Sequence, residues 1–240
     1  MTKKLTDYRV LTFDCYGTMI DWESGIWDAL QPLILKSRRE DMTREEVLRS
    51  FARIETAQEA STPDMIYSEL LSKVHNDIAK EFEITSDAEL DRDFGLSVPH
   101  WPAFPDSADA LRILKRHFKL VILSNVHRDG FASSNRKLGV DFDAIYTAQD
   151  IGSYKPNICN FEFMLEALNN DFGIEREEIL HTAQSLHHDH VPATTIGLAK
   201  AWIDRQNLSE SGSWGATAVV MDRPEVDYRF STLMGMAQSL

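Results

Sequence analysis

The stretch Arg9-Val-Leu-Thr-Phe-Asp-Cys-Tyr-Gly-Thr18 decides how the rest of the chain is interpreted. Its short apolar run, Val10 to Phe13, is followed by Gly17, a pattern that predicts a buried strand ending in a tight turn. Asp14 stands directly after that strand. Ligands of open α/β sheets bind beyond the carboxyl ends of the strands, so a carboxylate here is placed for chemistry. A single aspartate at such a position is more often a cap of the following loop, and further motifs are needed to decide.

Composition and charge narrow the classes of function. The 240 residues are 43% hydrophobic and 26% charged, as in a globular protein with a sizeable core. The net charge of −13 argues against a nucleic-acid surface but leaves room for a small anionic substrate. The two cysteines give no disulfide framework, no stretch is long enough to span a bilayer, and no apolar signal segment precedes the first strand. We therefore expect a cytoplasmic enzyme without nucleic-acid or membrane partners.

Residues 20–97 show helical periodicity without a strand pattern. Apolar positions recur at helical spacing from Trp22 to about Lys36, and the capping box Thr43–Glu46 opens a second helix. Two more helices are expected after Pro63 and from about Ser86. The proline-rich segment Val98–Pro105 then interrupts the regular pattern, which indicates a boundary or a hinge.

The rest of the chain alternates apolar strand patterns with helices. The expected strands are Phe118–Ser124, Ala144–Ala148, Ile179–Ala183, Leu198–Ile203 and Ala218–Asp222. This alternation predicts a parallel sheet, and the first strand must join it because a lone strand ahead of a helical segment has no partner. The sequence therefore predicts an α/β fold. A Rossmann-like, doubly wound parallel sheet core (residues 1–20 and 98–240) would carry an inserted α-helical cap (residues 21–97).

Polar groups follow four strand ends or loops of this predicted core: Asp14, Ser124-Asn125, Lys155 and Asp189. A single lysine such as Lys155 is more often a solvated loop residue. The order Asp, Ser/Thr, Lys and Asp nevertheless resembles that of the haloacid dehalogenase superfamily, and the resemblance covers nearly the whole chain. Each motif alone is weak, whereas the combination is specific.

Two departures from the phosphatases of that superfamily favour its dehalogenases. Phosphatases usually carry Asp-x-Asp-x-Thr, in which the second acid protonates the leaving alcohol, and Tyr16 stands at that position here. Their fourth motif has an acidic pair that helps to hold magnesium, and Gln184 replaces its first member. The form Phe13-Asp-Cys-Tyr-Gly-Thr18 resembles the type II 2-haloacid dehalogenases, whose halide leaving group needs no proton.

The resemblance implies a hydrolase that cleaves the carbon–halogen bond of short 2-haloacids without a metal or other cofactor. Asp14 would displace the halide and form an ester, which water hydrolyses. Lys155 would neutralise Asp14 and the substrate, Thr18 would orient Asp14, and Asp189 would orient or activate the water with His188 beside it. The implied substrate-binding positions are Cys15, Tyr16, Ser124, Asn125, Arg53 and His188. Strand alternation also predicts that the Cys15 side chain points away from that of Asp14.

The cap and the fourth motif leave alternatives open. The resembling dehalogenases have a halide-side arginine in the cap, where Arg49 and Arg53 both fit and Arg53 is preferred. Either arginine also fits the polar face of an amphipathic helix. Leu186 and His188 stand where those enzymes have Asn and Trp, so the halide pocket and the substrate size stay open.

Other functions are weighed against this interpretation. The histidines around His188 suggest a metal, but a zinc site needs a second ligand set at defined spacing, and no metal site is expected. The alternatives are a magnesium-dependent phosphatase or phosphonatase acting on a small metabolite, and a non-catalytic relative that binds carboxylates or a protein partner. A homodimer is common in the resembling family. The halogen, the stereochemistry and the natural substrate are open.

Overall fold

The computed structural model describes residues 3–37, 42–213, 216 and 218–240. In this part of the chain a six-stranded sheet has the order β3-β2-β1-β4-β5-β6, and every neighbouring pair is parallel. The strands are β1 (Val10–Phe13), β2 (Lys119–Ser124), β3 (Ala144–Thr147), β4 (Ile179–Ala183), β5 (Ala199–Ile203) and β6 (Tyr228–Phe230). The predicted doubly wound parallel sheet is confirmed.

The described helices fall into a cap and a core set. The cap, inserted between β1 and β2, contains α1 (Trp22–Ser37), α2 (Arg44–Ser61), α3 (Tyr67–Glu81) and α4 (Ala88–Gly95). The core contains α5 (Ser107–Leu114), α6 (Arg128–Leu138), α7 (Ala148–Ile151), α8 (Ile158–Phe172), α9 (Val191–Thr195) and α10 (Leu233–Ala237). None of these helices has the length and apolar character needed to cross a bilayer.

Strand β1 lies at the centre of the sheet and positions the other elements around it. All four of its residues are fully buried, as expected of a strand with helices covering both faces of a parallel sheet. It pairs with β2 on one side and β4 on the other, so that Phe13 is level with Ile122 and Thr182. The carboxyl ends of these three strands therefore meet at one edge of the sheet.

One predicted strand is wrong. Residues 218–222 form no strand, and Val219 and Met221 are 66% and 101% exposed. The position beside β5 is taken by β6, whose Tyr228 pairs with Ala201. Asp227 fixes this edge because its carboxylate accepts a hydrogen bond of 2.7 Å from the backbone N–H of Lys200. The apolar run at residues 218–222 therefore did not predict the edge strand. The segment that forms this strand is decided by pairing with β5, which lies far away in the sequence.

The two connections between core and cap pair with each other. Ile20 and Ala103 form an antiparallel bridge, and the N–H of Asp21 donates to the carbonyl of Pro102 at 2.8 Å. Gly25 at the start of α1 packs on Trp101 so closely that a Cβ there would lie 2.3 Å from the indole. Only glycine allows this approach. The predicted cap boundaries, residues 21 and 97, stay a prediction.

Candidate active site

Asp14 lies just beyond β1, and its carboxylate is held by the turn that follows. The hydroxyl of Thr18 donates to Asp14 Oδ2 at 2.7 Å and accepts from the backbone N–H of Gln184 at 2.9 Å. Gly17 adopts φ +96°, in the left-handed region that favours glycine. The turn after β1 is therefore tied to the loop after β4, and it fixes the orientation of Asp14.

Lys155 is buried between two carboxylates. Its Nζ lies 3.0 Å from Asp14 Oδ1 and 2.7 Å from Asp189 Oδ1, and its side chain is 1% exposed. Asn125 holds the backbone of Lys155, accepting from its N–H at 2.8 Å and donating to its carbonyl at 3.1 Å. Burial opposes the charge of Lys155, but Asp14 and Asp189 together raise its pKa well above the ordinary value. The lysine is therefore an ammonium ion shared by two acids.

The two carboxyl groups that contact Lys155 differ in their electrostatics. Burial raises the pKa of Asp14 above its ordinary value, with Lys155 and the Thr18 hydroxyl acting in the opposite direction. Burial also acts on Asp189, but Lys155 and His181 hold the pKa of Asp189 well below its usual range. His181 Nε2 lies 3.0 Å from Asp189 Oδ1. Asp189 is thus the permanently ionised partner, and Asp14 is the more basic one.

A cavity of about 90 Å³ lies in front of Asp14, between the cap and the core. Its charged lining consists of Asp14, Lys155 and Asp189 from the core and of Glu55 and Glu59 from α2. The aromatic rings of Tyr16, Trp22, Tyr67 and Trp101 also line it. This size suits a molecule with few non-hydrogen atoms.

Glu55 and Glu59 are candidate functional residues that the sequence analysis missed. Burial raises the pKa of Glu55 to about 7, although the Tyr67 hydroxyl donates to its carboxylate. Burial and the neighbouring Glu55 raise the pKa of Glu59 well above its ordinary value. The signal was available, because Leu48, Phe51, Glu55 and Glu59 follow one another at helical spacing. Two acids thus continue a buried apolar stripe.

His188 and Tyr16 also line the cavity. The Ser185 hydroxyl accepts from the His188 backbone N–H at 3.0 Å and lies 3.2 Å from its Nδ1. Burial lowers the pKa of His188 to about 4, so the imidazole is neutral near neutral pH. The Tyr16 hydroxyl lies 3.0 Å from the Ser134 hydroxyl, and burial raises the pKa of this phenol well above its ordinary value. His188 belongs to a π-helical turn, Leu186–His190, a feature common at functional sites.

The structure brings some predicted site residues together and leaves others outside the cavity. Asp14, Thr18, Lys155 and Asp189 form one hydrogen-bonded group, and Tyr16, Asn125 and His188 line the cavity. Cys15 is fully buried in the core, as strand alternation predicts, and does not line the cavity. Ser124 does not line it either. It is buried, and its hydroxyl accepts from the N–H of Val126 at 3.2 Å.

The expected position of Arg53 in the substrate cavity needs correction. Its side chain is 63% exposed and forms an ion pair with Glu81 on α3. Arg53 precedes Glu55 by two residues, which places the two side chains about 200° apart around α2. Arg49 likewise is 60% exposed and pairs with Glu45. The face of α2 that meets the core therefore carries acids, and the arginines lie on the other face.

The residues of this site do not fit a magnesium ion. Hard divalent cations take several oxygen ligands, and in the described residues no group of three or more His, Cys, Asp or Glu side chains is arranged to hold a metal. The space between Asp14 and Asp189 is taken by the ammonium group of Lys155. The Gln184 side chain donates to that of Gln206 at 2.6 Å.

Comparison with known proteins identifies the fold and the family of the chain. No curated protein matches the sequence of the chain. The L-2-haloacid dehalogenase PA0810 is 21% identical, with a TM-score of 0.76 over 96% of this chain and 98% of that one. The L-2-haloacid dehalogenase of Xanthobacter autotrophicus, with chloropropionic acid covalently bound, is 15% identical, with a TM-score of 0.77 over 96% and 97%. The magnesium-bound putative HAD-hydrolase YfnB of Bacillus subtilis is 18% identical, with a TM-score of 0.74 over 96% and 97%.

Identities this low establish a shared fold and nothing finer, and the three structures include both dehalogenases and a magnesium-bound hydrolase. The family assignment rests on a sequence model instead. The model of the haloacid dehalogenase-like hydrolases matches residues 8–182, well over half of the chain. The matched segment contains Asp14, the whole cap and Lys155. The chain therefore belongs to the haloacid dehalogenase-like hydrolases.

Proposed function

We propose that this hydrolase cleaves the carbon–halogen bond of short 2-haloacids through an ester of Asp14. The proposal is supported mainly by the arrangement of Asp14 and Tyr16 in the first motif. Asp14 lines a small cavity and is held by Thr18 and Lys155, while Tyr16, at the phosphatase acid position, is a neutral phenol close to Ser134. A halide departs without a proton, so this chemistry needs no acid at position 16.

In the first step a carboxylate oxygen of Asp14 attacks the carbon that carries the halogen. A carbon–oxygen bond forms, the carbon–halogen bond breaks, and the halide departs with the electron pair. Lys155 attracts the carboxylate of the substrate and offsets the charge of Asp14 and Asp189, which would otherwise repel it. Thr18 keeps Asp14 in one orientation, which reduces the entropy cost of reaching the attack geometry.

In the second step water attacks the carbonyl carbon of the Asp14 ester. The bond from this carbon to the oxygen that joins it to the substrate carbon breaks. That oxygen, which came from Asp14, takes one proton of the water and leaves as the hydroxyl group of the product, and Asp14 is regenerated with the water oxygen in its carboxylate. The complete reaction converts a haloacid and water into a hydroxyacid, a halide ion and a proton. Asp189 Oδ2 has no hydrogen-bond partner in the described part of the chain, so it can accept from the attacking water. The neutral imidazole of His188 can accept the proton, because the low pKa of Asp189 makes that carboxylate a poor base.

The test compares halide release with phosphate release. Chloroacetate and fluoroacetate are assayed beside a generic phosphomonoester, with a chelator and again with magnesium restored. We expect chelator-resistant halide release and negligible phosphate release, because Lys155 occupies the space between the two carboxylates. Strong magnesium-dependent phosphate release without halide from any short haloacid would refute the proposal.

A single turnover in heavy-oxygen water tests the covalent step. With enzyme in excess, the label should enter Asp14 and not the hydroxyacid, since the first product takes its oxygen from the carboxylate. Asp14→Asn should abolish turnover and keep the native circular dichroism spectrum. Asp141→Asn, on the exposed loop before β3, is the matched control and should retain full activity. Label found directly in the first product would exclude the ester.

A further inference from the structure

The cavity contains more acids than cations. Asp14, Asp189, Glu55 and Glu59 line it, and Lys155 is the one lysine or arginine among the described lining residues. That ammonium already contacts both Asp14 and Asp189. Like charges buried together cannot all ionise, and an anionic substrate would add another negative charge. A proton on one of the two glutamates removes this conflict.

Geometry decides which glutamate carries the proton. The Tyr67 hydroxyl donates to Glu55, and such a hydrogen bond stabilises the ionised form of the acceptor. The next acid on the same helix face is Glu59, and an ionised Glu55 one turn away disfavours a second charge there. Glu59 itself is 6% exposed. Glu59 also accepts from the Asn125 side chain at 3.0 Å, which favours its ionised form, but its burial beside the charge of Glu55 outweighs this bond. The proton therefore belongs on Glu59.

Two polar atoms beside the cavity lack a hydrogen bond to each other. Glu59 Oε1 accepts from the Asn125 side chain at 3.0 Å, whereas Oε2 lies 4.0 Å from Nε2 of His188. This Nε2 is buried and has no hydrogen-bond partner among the described residues. Both residues line the cavity, so the carboxyl oxygen and the imidazole nitrogen are placed to contact a bound ligand. Near neutral pH neither the carboxyl group of Glu59 nor the imidazole of His188 carries a positive charge.

We propose that Glu59 is a neutral carboxylic acid in the resting enzyme and that its O–H donates a hydrogen bond to the departing halogen. The proposal rests on the carbon–halogen chemistry given above and identifies the cap residue that contacts the leaving group. As the carbon–halogen bond breaks, the electron pair leaves with the halide. The proton stays on Glu59, because halide ions are weak bases. The cap thus contacts the developing anion through a neutral acid in place of a guanidinium group.

The proposal predicts a loss of activity at high pH. Ionised Glu59 would place a carboxylate against the departing halide, so kcat/KM should fall about tenfold per pH unit once Glu59 ionises. The titratable or charged groups that face Glu59 come from both cap and core: Glu55, Tyr67, Asp14, Tyr154, Lys155, His188 and Asp189. Of these, Glu55 titrates nearest to neutral pH, with a pKa of about 7, and it stabilises the proton on Glu59 when it ionises.

Infrared spectroscopy tests the protonation without any turnover. In protein labelled with carbon-13 at the glutamate carboxyl groups, a protonated carboxyl band is expected at pH 7. Glu59→Gln should remove the Glu59 component of this band, and Glu55→Gln should leave that component in place because Glu55, with a pKa of about 7, contributes separately. Glu166→Gln, an exposed acid on α8, is the matched control and should leave the band unchanged. Bromide, which binds as a leaving group would but does not react, should shift the band. A spectrum unaffected by Glu59→Gln, or a band unmoved by bromide, would overturn the proposal.

The pH profile of kcat/KM for chloroacetate supplies the kinetic test. Wild-type enzyme should lose activity at high pH, and Glu59→Gln should lack this decline because an amide N–H donates at every pH. An unchanged decline in the variant would exclude Glu59. If Glu59→Gln does not fold, the protonated carboxyl band that remains in Glu55→Gln, and its response to bromide, decide. If no haloacid releases halide, the proposed function fails, while the infrared result still decides whether Glu59 is a neutral acid that contacts a halide.

Discussion

At the scale of single residues, Lys155 is the group on which the site depends. It is the cation between Asp14 and Asp189, and water does not screen the pair because the lysine is buried. Removing one partner of a buried ion pair leaves the others uncompensated, which is far more costly than losing an exposed pair. Lys155 should therefore affect both activity and stability.

Replacing Lys155 by Met keeps most of the stem and removes the charge. We expect kcat/KM for chloroacetate to fall by at least ~10²-fold, the scale of one preorganised electrostatic group. The free energy of unfolding should fall by roughly 3–5 kcal/mol, because Asp14 and Asp189 lose their cation. Steady-state kinetics and urea unfolding measure the two effects. Lys73→Met, an exposed lysine on α3, is the control. If kcat/KM falls only a few-fold, the role of Lys155 is structural and not catalytic.

The order of the strand ends allowed part of the site to be predicted from the sequence. Asp14 and Lys155 are far apart in the chain, but they follow β1 and β3, two strands that end at the same edge of the parallel sheet. That rule predicts which side chains lie near one another, but it gives neither their distances nor their orientations. It does not identify Glu59, which lies on a cap helix. Helical spacing places Glu59 on the buried stripe of that helix but does not show that this stripe meets the cavity. Burial of Glu59 depends on how the cap meets the core.

At the scale of elements, α2 shows how periodicity predicts a helix but not the use of its faces. The predicted helix start at Thr43 is confirmed, since Thr43 is the N-cap residue and its hydroxyl accepts from the N–H of Glu46 at 3.2 Å. Arg53 fitted the cap position that the family resemblance suggested. The structure instead pairs it with Glu81 of α3, which is possible only once α3 packs alongside. Helix–helix packing decides which charges reach the cavity.

Arg53→Met tests this assignment of the two faces. An exposed ion pair contributes about 0–1 kcal/mol, so the substitution should change the free energy of unfolding by no more than that. We expect kcat/KM for chloroacetate to change less than about threefold, because Arg53 does not line the cavity. Arg92→Met, an exposed arginine on α4, is measured beside it. A loss of about 100-fold for Arg53→Met alone would place Arg53 at the substrate.

At the scale of the whole molecule, the alternation of strands and helices was enough to predict the sheet and the inserted cap. The edge of the sheet was not predictable from local pattern, because β6 is only three residues long. The cavity is a property of the assembled chain. Its lining comes from α1, α2 and α3 of the cap and from six separate segments of the core, and its acid-rich composition follows from their packing.

The buried acids should give the molecule a pH-dependent stability. The pKa of Glu55 rises from its ordinary 4.5 to about 7 in the folded chain, mainly through burial. Between these values the folded state binds more protons than the unfolded state, so the contribution of Glu55 to stability falls as pH rises. Asp189 acts in the opposite sense, because its low pKa makes the folded state lose stability as pH falls below the ordinary range of a carboxyl group. Between pH 5 and 8 the two glutamates therefore lower stability as pH rises, whereas buried His188, with a pKa of about 4, acts in the opposite direction up to about pH 6.5.

Glu55→Gln isolates this effect. The amide of Gln has the shape of the Glu55 carboxyl group and does not ionise. The variant therefore does not lose stability as pH rises, whereas wild type must bury a charged Glu55. Relative to wild type, the free energy of unfolding of the variant should increase by roughly 1–3 kcal/mol from pH 5 to pH 8, most of it below about pH 7. Urea unfolding across this range measures the difference. Glu166→Gln changes the net charge equally at an exposed position and should show no such increase. A difference that stays constant with pH would mean that Glu55 remains solvated and that the acid-rich wall of the cavity is open to water.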